Sequence, residues 1–374
     1  MASQILLTGV TGFLGTELLQ RLLTGDESRR VTVLVRSTPR GTAAERVQRI
    51  LRELPPPGLA ERAGHRVEIA EGDIALERLG LAPDRYAELA RRVDHVIHCA
   101  ATVRFDLTLE QARRTNTEGT RNVLELAAEC RRLGALRRFD YIGTAYVAGQ
   151  RQGIIKESEL DSGQSFSNTY EQSKFESEAL VRQHADRLPV TIFRPSIIVG
   201  NSQTGSTTSF QGAYKPLRLY VKKLIVCIPA DPETPADLVP VDYVADAITY
   251  LMDRQSPRGQ CYHITAGADR TSTVGELVRQ AEQFFQIPAP RFISLRNYRR
   301  FIRPVLKLVL TGAKREAMRR GELFLPYLSC RLRFDNANAV RDLKGSGLEP
   351  PRPEEYFLKL LKFCKESDFG RRHQ

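Results

Sequence analysis

ILLTGVTGFLGTELL, residues 5–19, is the stretch that decides the fold. An apolar, strand-like run, Gln4–Thr8, leads straight into Gly9, Gly12 and Gly15, which cross the start of a helical pattern over Thr11–Leu23. That order suits a pyrophosphate. Gly9 permits the tight turn, Gly12 lets backbone approach the phosphates, and Gly15 lets helix and strand pack closely, while the helix N-terminus offers partial positive charge. Thr11, Phe13 and Leu14 fill the turn and are expected to border the same ligand.

Working outward, short β-branched runs alternate with helical patterns through the first half. Strands are expected at Val31–Val35, Arg66–Ala70, Asp94–Cys99, Phe139–Ile142 and Val190–Phe193, with helices at Ala43–Leu54, Asp84–Arg92, Thr117–Leu133 and Asn168–Asp186, the last capped by Asn168. The alternation predicts an α/β fold, a doubly wound parallel sheet. After Gly200 the Gly/Ser/Thr loop 201–209 and the proline-rich stretch to Pro240 interrupt it. Leu238–Met252 as a helix and Gln260–Ala266 as a strand return to the sheet. Residues 1–200 and 236–266 would then form the nucleotide-binding domain, and 201–235 with 267–374 a smaller substrate region.

Length, 374 residues, with 41% hydrophobic and 27% charged residues, fits a chain able to bury a large core without staples. The six cysteines show no paired spacing, so no structural metal is expected and a reducing, cytoplasmic setting is. The apolar start lacks a basic leader and reads as a strand rather than a secretion signal. No run is long enough for a membrane span. Net charge is +12, but residues 291–333 hold twelve Lys or Arg against Glu316 and Glu322. So concentrated an excess, with no helix-turn-helix, zinc-finger or RRM pattern, argues against nucleic acid as partner.

Arg36 ends the second strand, where a carboxylate would otherwise meet the ribose hydroxyls of NAD. A planar, permanently charged guanidinium suits a 2′-phosphate, with Arg46 downstream in support, so NADPH is expected over NADH. Asp73, in Gly72-Asp73-Ile74 after the third strand, is placed to accept from an adenine amino group, with Ile74 beside it. Cys99, Ala100 and Ala101 end the fourth strand with small side chains that let a cofactor lie against backbone. His98 and Cys99 read as packing residues of a buried strand end.

Tyr170 and Lys174 are four apart and share one helix face. An ammonium about 5 Å from a phenol at an effective dielectric of about 20 contributes roughly 3 kcal/mol, about two pKa units toward the working range of a general acid. Thr144, after the fifth strand, adds a second donor to a developing oxyanion. Asn116 either supports Lys174 or occupies a helix surface.

TGVTGFLG, GDI, HCAATVRFD, YIGTAYVAG, NTYEQSK, RPSIIVG and LVPVDYVADAI resemble the extended short-chain dehydrogenase/reductases, over roughly residues 3–285. Within them the chain is most similar to the fatty acyl-CoA reductase and terminal thioester reductase branch, on the blocks His98–Asp106, TAYV around Thr144, and Pro240–Ile248. The resemblance implies Gly9, Gly12, Gly15 and Arg36 for NADPH, Thr144, Tyr170 and Lys174 for catalysis, and Pro195, Ile197 and Ile198 along the nicotinamide ring. Gly143 departs from it, standing where many fatty acyl-CoA reductases carry Ser.

These readings point to NADPH-dependent reduction of an acyl thioester, on coenzyme A or an acyl carrier protein, to an aldehyde or onward to an alcohol. Two alternatives remain: a ketone reductase or secondary-alcohol dehydrogenase of hydroxysteroid or sugar-nucleotide type, and a protein that senses NADPH without turnover. The basic, apolar-interleaved residues 296–333 fit a solvated helical face, a peripheral membrane segment, or a dock for an acidic carrier or coenzyme A phosphates. Oligomeric state is not legible.

Overall fold

The computed structural model of the chain describes residues 3–225, 227–254, 258–328 and 330–371. In chain order the Rossmann elements are β1 (Gln4–Thr8), α1 (Phe13–Thr24), β2 (Arg30–Val35), α2 (Ala43–Glu53), β3 (Val67–Glu71), α3 (Pro83–Arg92), β4 (His95–His98), α4 (Leu109–Arg132), β5 (Arg138–Ile142), α5 (Thr169–Gln183) and β6 (Val190–Pro195). After α6 (Tyr214–Val221) come α7 (Val241–Met252) and β7 (Gln260–Ile264), which close the series.

Seven parallel strands pair in the order β7-β6-β5-β4-β1-β2-β3. Strand order reverses between β1 and β4, and a crevice opens outside the carboxyl ends of strands at such a switch point. Both faces are covered. Leu18, Leu22, Val47, Val244 and Ile248 carry α1, α2 and α7 onto one face, and Leu89, Val123, Leu126 and Val181 carry α3, α4 and α5 onto the other.

Most element ends shift by one to three residues from expectation, and two boundaries differ more substantially. α4 begins at Leu109 rather than Thr117, because Thr108 and Gln111 form a reciprocal cap in which each side chain accepts from the other's backbone N–H at 3.2 Å. Leu238–Pro240 is a short strand parallel to Ile197–Val199, not the first turn of α7. Pro240 takes extended backbone as the N-cap and biases the residue before it away from the helical region.

Beyond β7 lie α8 (Val274–Phe285), α9 (Arg303–Val309), α10 (Gly312–Glu322) and α11 (Pro353–Glu366). Tyr356, Leu360 and Leu361 of α11 join Val199, Tyr214 and Leu238 in a separate core, and the Tyr356 hydroxyl donates to the Leu238 carbonyl at 3.0 Å. Residues 332–343 turn back to the sheet. Leu332–Phe334 pairs in parallel with Gly153–Ile155, and Ala339 and Leu343 enter the core beside α7. Buried Glu157 fastens this return by accepting from the backbone N–H groups of His263 (2.8 Å), Asn338 (2.6 Å) and Ala339 (3.3 Å). Among the described residues no helix is long and apolar enough to cross a membrane, and no three His, Cys, Asp or Glu side chains cluster as a metal site.

Close packing at the first turn makes one substitution diagnostic. A Cβ at Gly15 would stand 2.1 Å from the Gly9 carbonyl oxygen, whereas one at Gly12 would stand 3.2 Å from it. Gly15→Ala is expected to lower unfolding free energy by about 1–3 kcal/mol, as forced overpacking does, with Gly12→Ala costing clearly less. Urea denaturation of both variants checks the ranking.

Candidate active site

The crevice begins at the β1–α1 turn. Gly9 holds φ +80°, and a Cβ there would lie 2.6 Å from the Ala100 backbone nitrogen, so the turn lies directly on the end of β4. Gly12 caps α1 without a side-chain acceptor, and no acidic residue sits in the first turn. The leading N–H groups therefore keep their capacity for an external anion, the donor set a dinucleotide pyrophosphate requires. The residues present fit that group.

Thr11, Phe13 and Leu14 line the same cleft, as do Arg36, Arg46, Asp73 and Ile74 at its outer end. The Arg36 side chain is 63% exposed and pairs with Asp73 at 3.2 Å, while Arg46 donates to the Arg36 carbonyl at 2.5 Å. Asp73 also accepts from the Ala75 N–H at 3.0 Å. Its carboxylate is thus turned toward Arg36 and its own loop.

Tyr170, Lys174 and Thr144 meet in the middle of the cleft, with Cys99, Ala100, Ala101, Pro195, Ile197 and Ile198 around them. Thr144 follows β5 in extended backbone; its hydroxyl donates to the Pro195 carbonyl at 3.4 Å, accepts from the Tyr146 N–H at 3.3 Å and lies near the Tyr170 phenol. Lys174 is buried. Its ammonium donates to the Ile142 carbonyl at 2.8 Å and lies 4.3 Å over the Tyr141 ring. Burial lowers its pKa from 10.5 to about 8, opposed by Cys99 and Glu178.

The expected acidification of Tyr170 by Lys174 is not what the geometry gives. Burial pushes the phenol up to about 12, with the nearby Thr144 hydroxyl pulling the other way. The ammonium is engaged by a carbonyl and a ring, and burial is the largest influence on the phenol. Tyr170 is accordingly a firmly protonated donor.

His98 is buried in a chain of hydrogen bonds, and Cys99, half-buried, lines the cleft beside it. Ala100 N–H donates to Thr8, Thr8 is 2.8 Å from His98 Nδ1, and His98 Nε2 is 3.0 Å from Thr120, which donates to the Asn116 carbonyl at 2.6 Å. This chain places the His98 proton on Nε2, and burial with the Lys174 charge holds its pKa near 3. Burial raises the Cys99 thiol to about 12.

Asn116 is neither on a surface nor on Lys174. Its amide accepts from the Thr102 N–H at 2.8 Å and donates to the Thr102 carbonyl at 3.1 Å and to Ser173 at 2.9 Å. Four aromatic residues escaped the sequence reading. Phe105 lies 5.8 Å from Tyr170, 5.7 Å from Tyr327 and 5.8 Å from Phe324, and Tyr146 meets Tyr327 edge-on at 5.2 Å. Tyr327 accepts from the cap residue Asn168 at 2.8 Å, which ties the C-terminal segment to the start of α5. The cleft totals about 1160 Å³ and runs on past these rings between α6, α8 and α10 to Tyr298 and Leu306.

The Lys174 shift has a sign that can be tested. Its folded pKa, about 8, lies below the usual 10.5, so between those values the unfolded chain binds more protons and this site's contribution to stability rises with pH. The difference in unfolding free energy, wild type minus Lys174→Met, is expected to climb by about 1 kcal/mol or more from pH 8 to 10. Urea titrations at fixed ionic strength measure it; a flat difference contradicts the buried ammonium.

Residues 7–248 match a family model of NAD-binding domains described as male sterility protein. The chain is 31% identical over 275 residues to the glycine betaine reductase ATRR of Emericella nidulans, covering 70% of this chain and 21% of that protein. It is 29% identical over 273 residues to the fatty acyl-CoA reductase wat of Drosophila melanogaster, covering 65% and 53%. The chain therefore spans from about a fifth to about half the length of these relatives. The solved terminal R domain of the myxalamid PKS-NRPS biosynthetic pathway aligns with a TM-score of 0.82 at 26% identity, over 98% of this chain and 92% of that one. The chain belongs to the male sterility protein family of NAD-binding domains, within the extended short-chain dehydrogenase/reductases and their branch of fatty acyl-CoA and terminal thioester reductases.

Proposed function

We propose that the chain is an NADPH-dependent reductase that converts an acyl thioester, borne by coenzyme A or an acyl carrier protein, to an aldehyde. The observation that carries this reading is one continuous cleft with a bare helix N-terminus at one end, apolar helices at the other, and the hydroxyls of Thr144 and Tyr170 lining it between them. Under it, segments 201–235 and 267–331 form the acyl side.

The N–H groups at the start of α1 would hold the pyrophosphate, and Pro195, Ile197 and Ile198 would flank the nicotinamide. Arg36 and Arg46 would hold a 2′-phosphate. Releasing Arg36 from Asp73 is cheap, since an exposed pair is worth only about 0–1 kcal/mol. Bound there, the reduced dinucleotide supplies a hydride.

Tyr170 donates its proton to the thioester carbonyl oxygen while Thr144 gives that oxygen a second hydrogen bond. Lys174, fixed by the Ile142 carbonyl, places positive charge beside the developing oxyanion. The carbonyl carbon becomes tetrahedral, a hemithioacetal. As the C–S bond breaks, the hydroxyl proton returns to the Tyr170 phenolate and the departing thiolate takes a proton from solvent, leaving the aldehyde. Phe105, Tyr146 and Tyr327 wall the reacting carbon from water.

Nicotinamide absorbance with a long-chain acyl-CoA tests the proposal. Tyr170→Phe is expected to lower kcat by about 10²–10⁴, with dinucleotide affinity kept, and Cys99→Ser to keep turnover. Turnover of ketones but not thioesters would make the chain a secondary-alcohol dehydrogenase, and tight NADPH binding without turnover a sensor.

Cofactor choice is tested separately. Arg36→Ala should raise KM for NADPH by about tenfold or more and leave KM for NADH nearly unchanged. Equal changes for both dinucleotides would remove the 2′-phosphate assignment.

A further inference from the structure

The turn Tyr298–Ile302 and α9 carry two apolar faces. Leu306 and Leu310 line the acyl end of the cleft. Phe301, Val305, Leu308 and Val309, at i, i+4, i+7 and i+8, form a second face that is 59, 55, 85 and 70% exposed. A solvated helix places charge outward and keeps its apolar stripe for the core, so a second outward stripe has no role in the folded chain itself.

Charge surrounds that stripe. Arg296, Arg299, Arg300 and Lys307 are exposed around it, with the Arg300 guanidinium 5.5 Å from the Phe301 ring. Between residues 291 and 315 the sequence contains no Asp or Glu. The nearest acids along the chain are engaged: Glu322 takes Arg303 at 2.7 Å, and Glu316 takes Arg319 at 2.8 Å. Lys314 and Arg320, counted in the basic segment, lie outside the residues whose side chains are described.

We propose that this face docks on an anionic lipid surface, with Phe301, Val305, Leu308 and Val309 below the headgroups and the flanking Arg and Lys paired with lipid phosphates and carboxylates. An amphipathic helix with an apolar centre and a cationic rim has the complementarity an anionic interface demands. Apolar residues hold the centre here.

The helix that meets the lipid on one face walls the cleft with the other. Docking therefore brings the acyl end of the cleft within about one helix diameter, roughly 10 Å, of the lipid surface. A lipophilic acyl chain could pass from bilayer to cleft without crossing bulk water. That consequence rests on the thioester reading; the docking does not.

Sedimentation of the full chain with vesicles tests it, using phosphatidylcholine alone and phosphatidylcholine with about one-third phosphatidylserine. Binding is expected to the anionic vesicles and to weaken with salt. The double variant Leu308→Asp, Val309→Asp should reduce it by about tenfold or more, the worth of burying two such side chains, with turnover of a short, water-soluble thioester unchanged. Arg300→Glu with Lys307→Glu should lower anionic binding without touching the apolar stripe. Absent vesicle binding, or binding unaltered in the double variant, overturns the proposal. A dimer, or capture of an acidic carrier protein, lost in that variant without vesicle binding would assign the face to those partners instead. Vesicle binding without thioester turnover would keep the dock and reject the reductase.

Discussion

A helix that buries two carboxylates, an ammonium and two hydroxyls must find a partner for each, because an unpaired buried polar group costs kilocalories. α5 is that helix: Glu171, Ser173, Lys174, Ser177 and Glu178 are all at most 3% exposed. Glu171 accepts from the Ser167 N–H at 2.8 Å, Ser177 donates to the Ser173 carbonyl at 2.6 Å, and Glu178 takes Arg194 through two bonds and Arg182 through a third. Arg194, itself fully buried, reaches on to His263 and the Glu159 carbonyl. A rotation or slide of α5 would break several of these pairs together. The phenol and ammonium are thereby held in one place by groups that take no part in the chemistry.

The second constraint is steric and enters from the opposite end. Gly9 and Gly15 allow backbone to touch backbone where β1, α1 and the end of β4 meet. Asn116 joins the two constraints, holding Thr102 on the loop after β4 with one end of its amide and Ser173 beside Lys174 with the other. The dinucleotide end and the reacting end thus share a frame through a single side chain.

Much of this was legible because it rests on local signals. Strand-to-glycine-to-helix order located the turn, helical spacing put Tyr170 and Lys174 on one face, and alternating apolar runs gave the parallel sheet and its seven strands. What escaped depends on contacts remote in sequence. Nothing near Tyr170 in the sequence tells that burial would raise its phenol, since desolvation is a property of the assembled core. Phe105 and Tyr327 are more than two hundred residues apart, and only the folded chain stacks them. The tyrosine did leave a trace, the apolar FLPYL inside an otherwise basic segment. Thr108 was a readable cap that the glycine-free run after HCAATVRFD obscured, and Asp73 could not declare Arg36 as its neighbour until β2 and β3 were paired.

Glu157 gives the fold a late dependency. It follows β5 in the chain, yet two of the three amides that satisfy it come from Asn338 and Ala339, and the third from β7. On a ribosome, the first strands emerge long before those donors exist. The carboxylate must stay hydrated until residues 338 and 339 have emerged, so the seven strands are all made well before this buried group is satisfied.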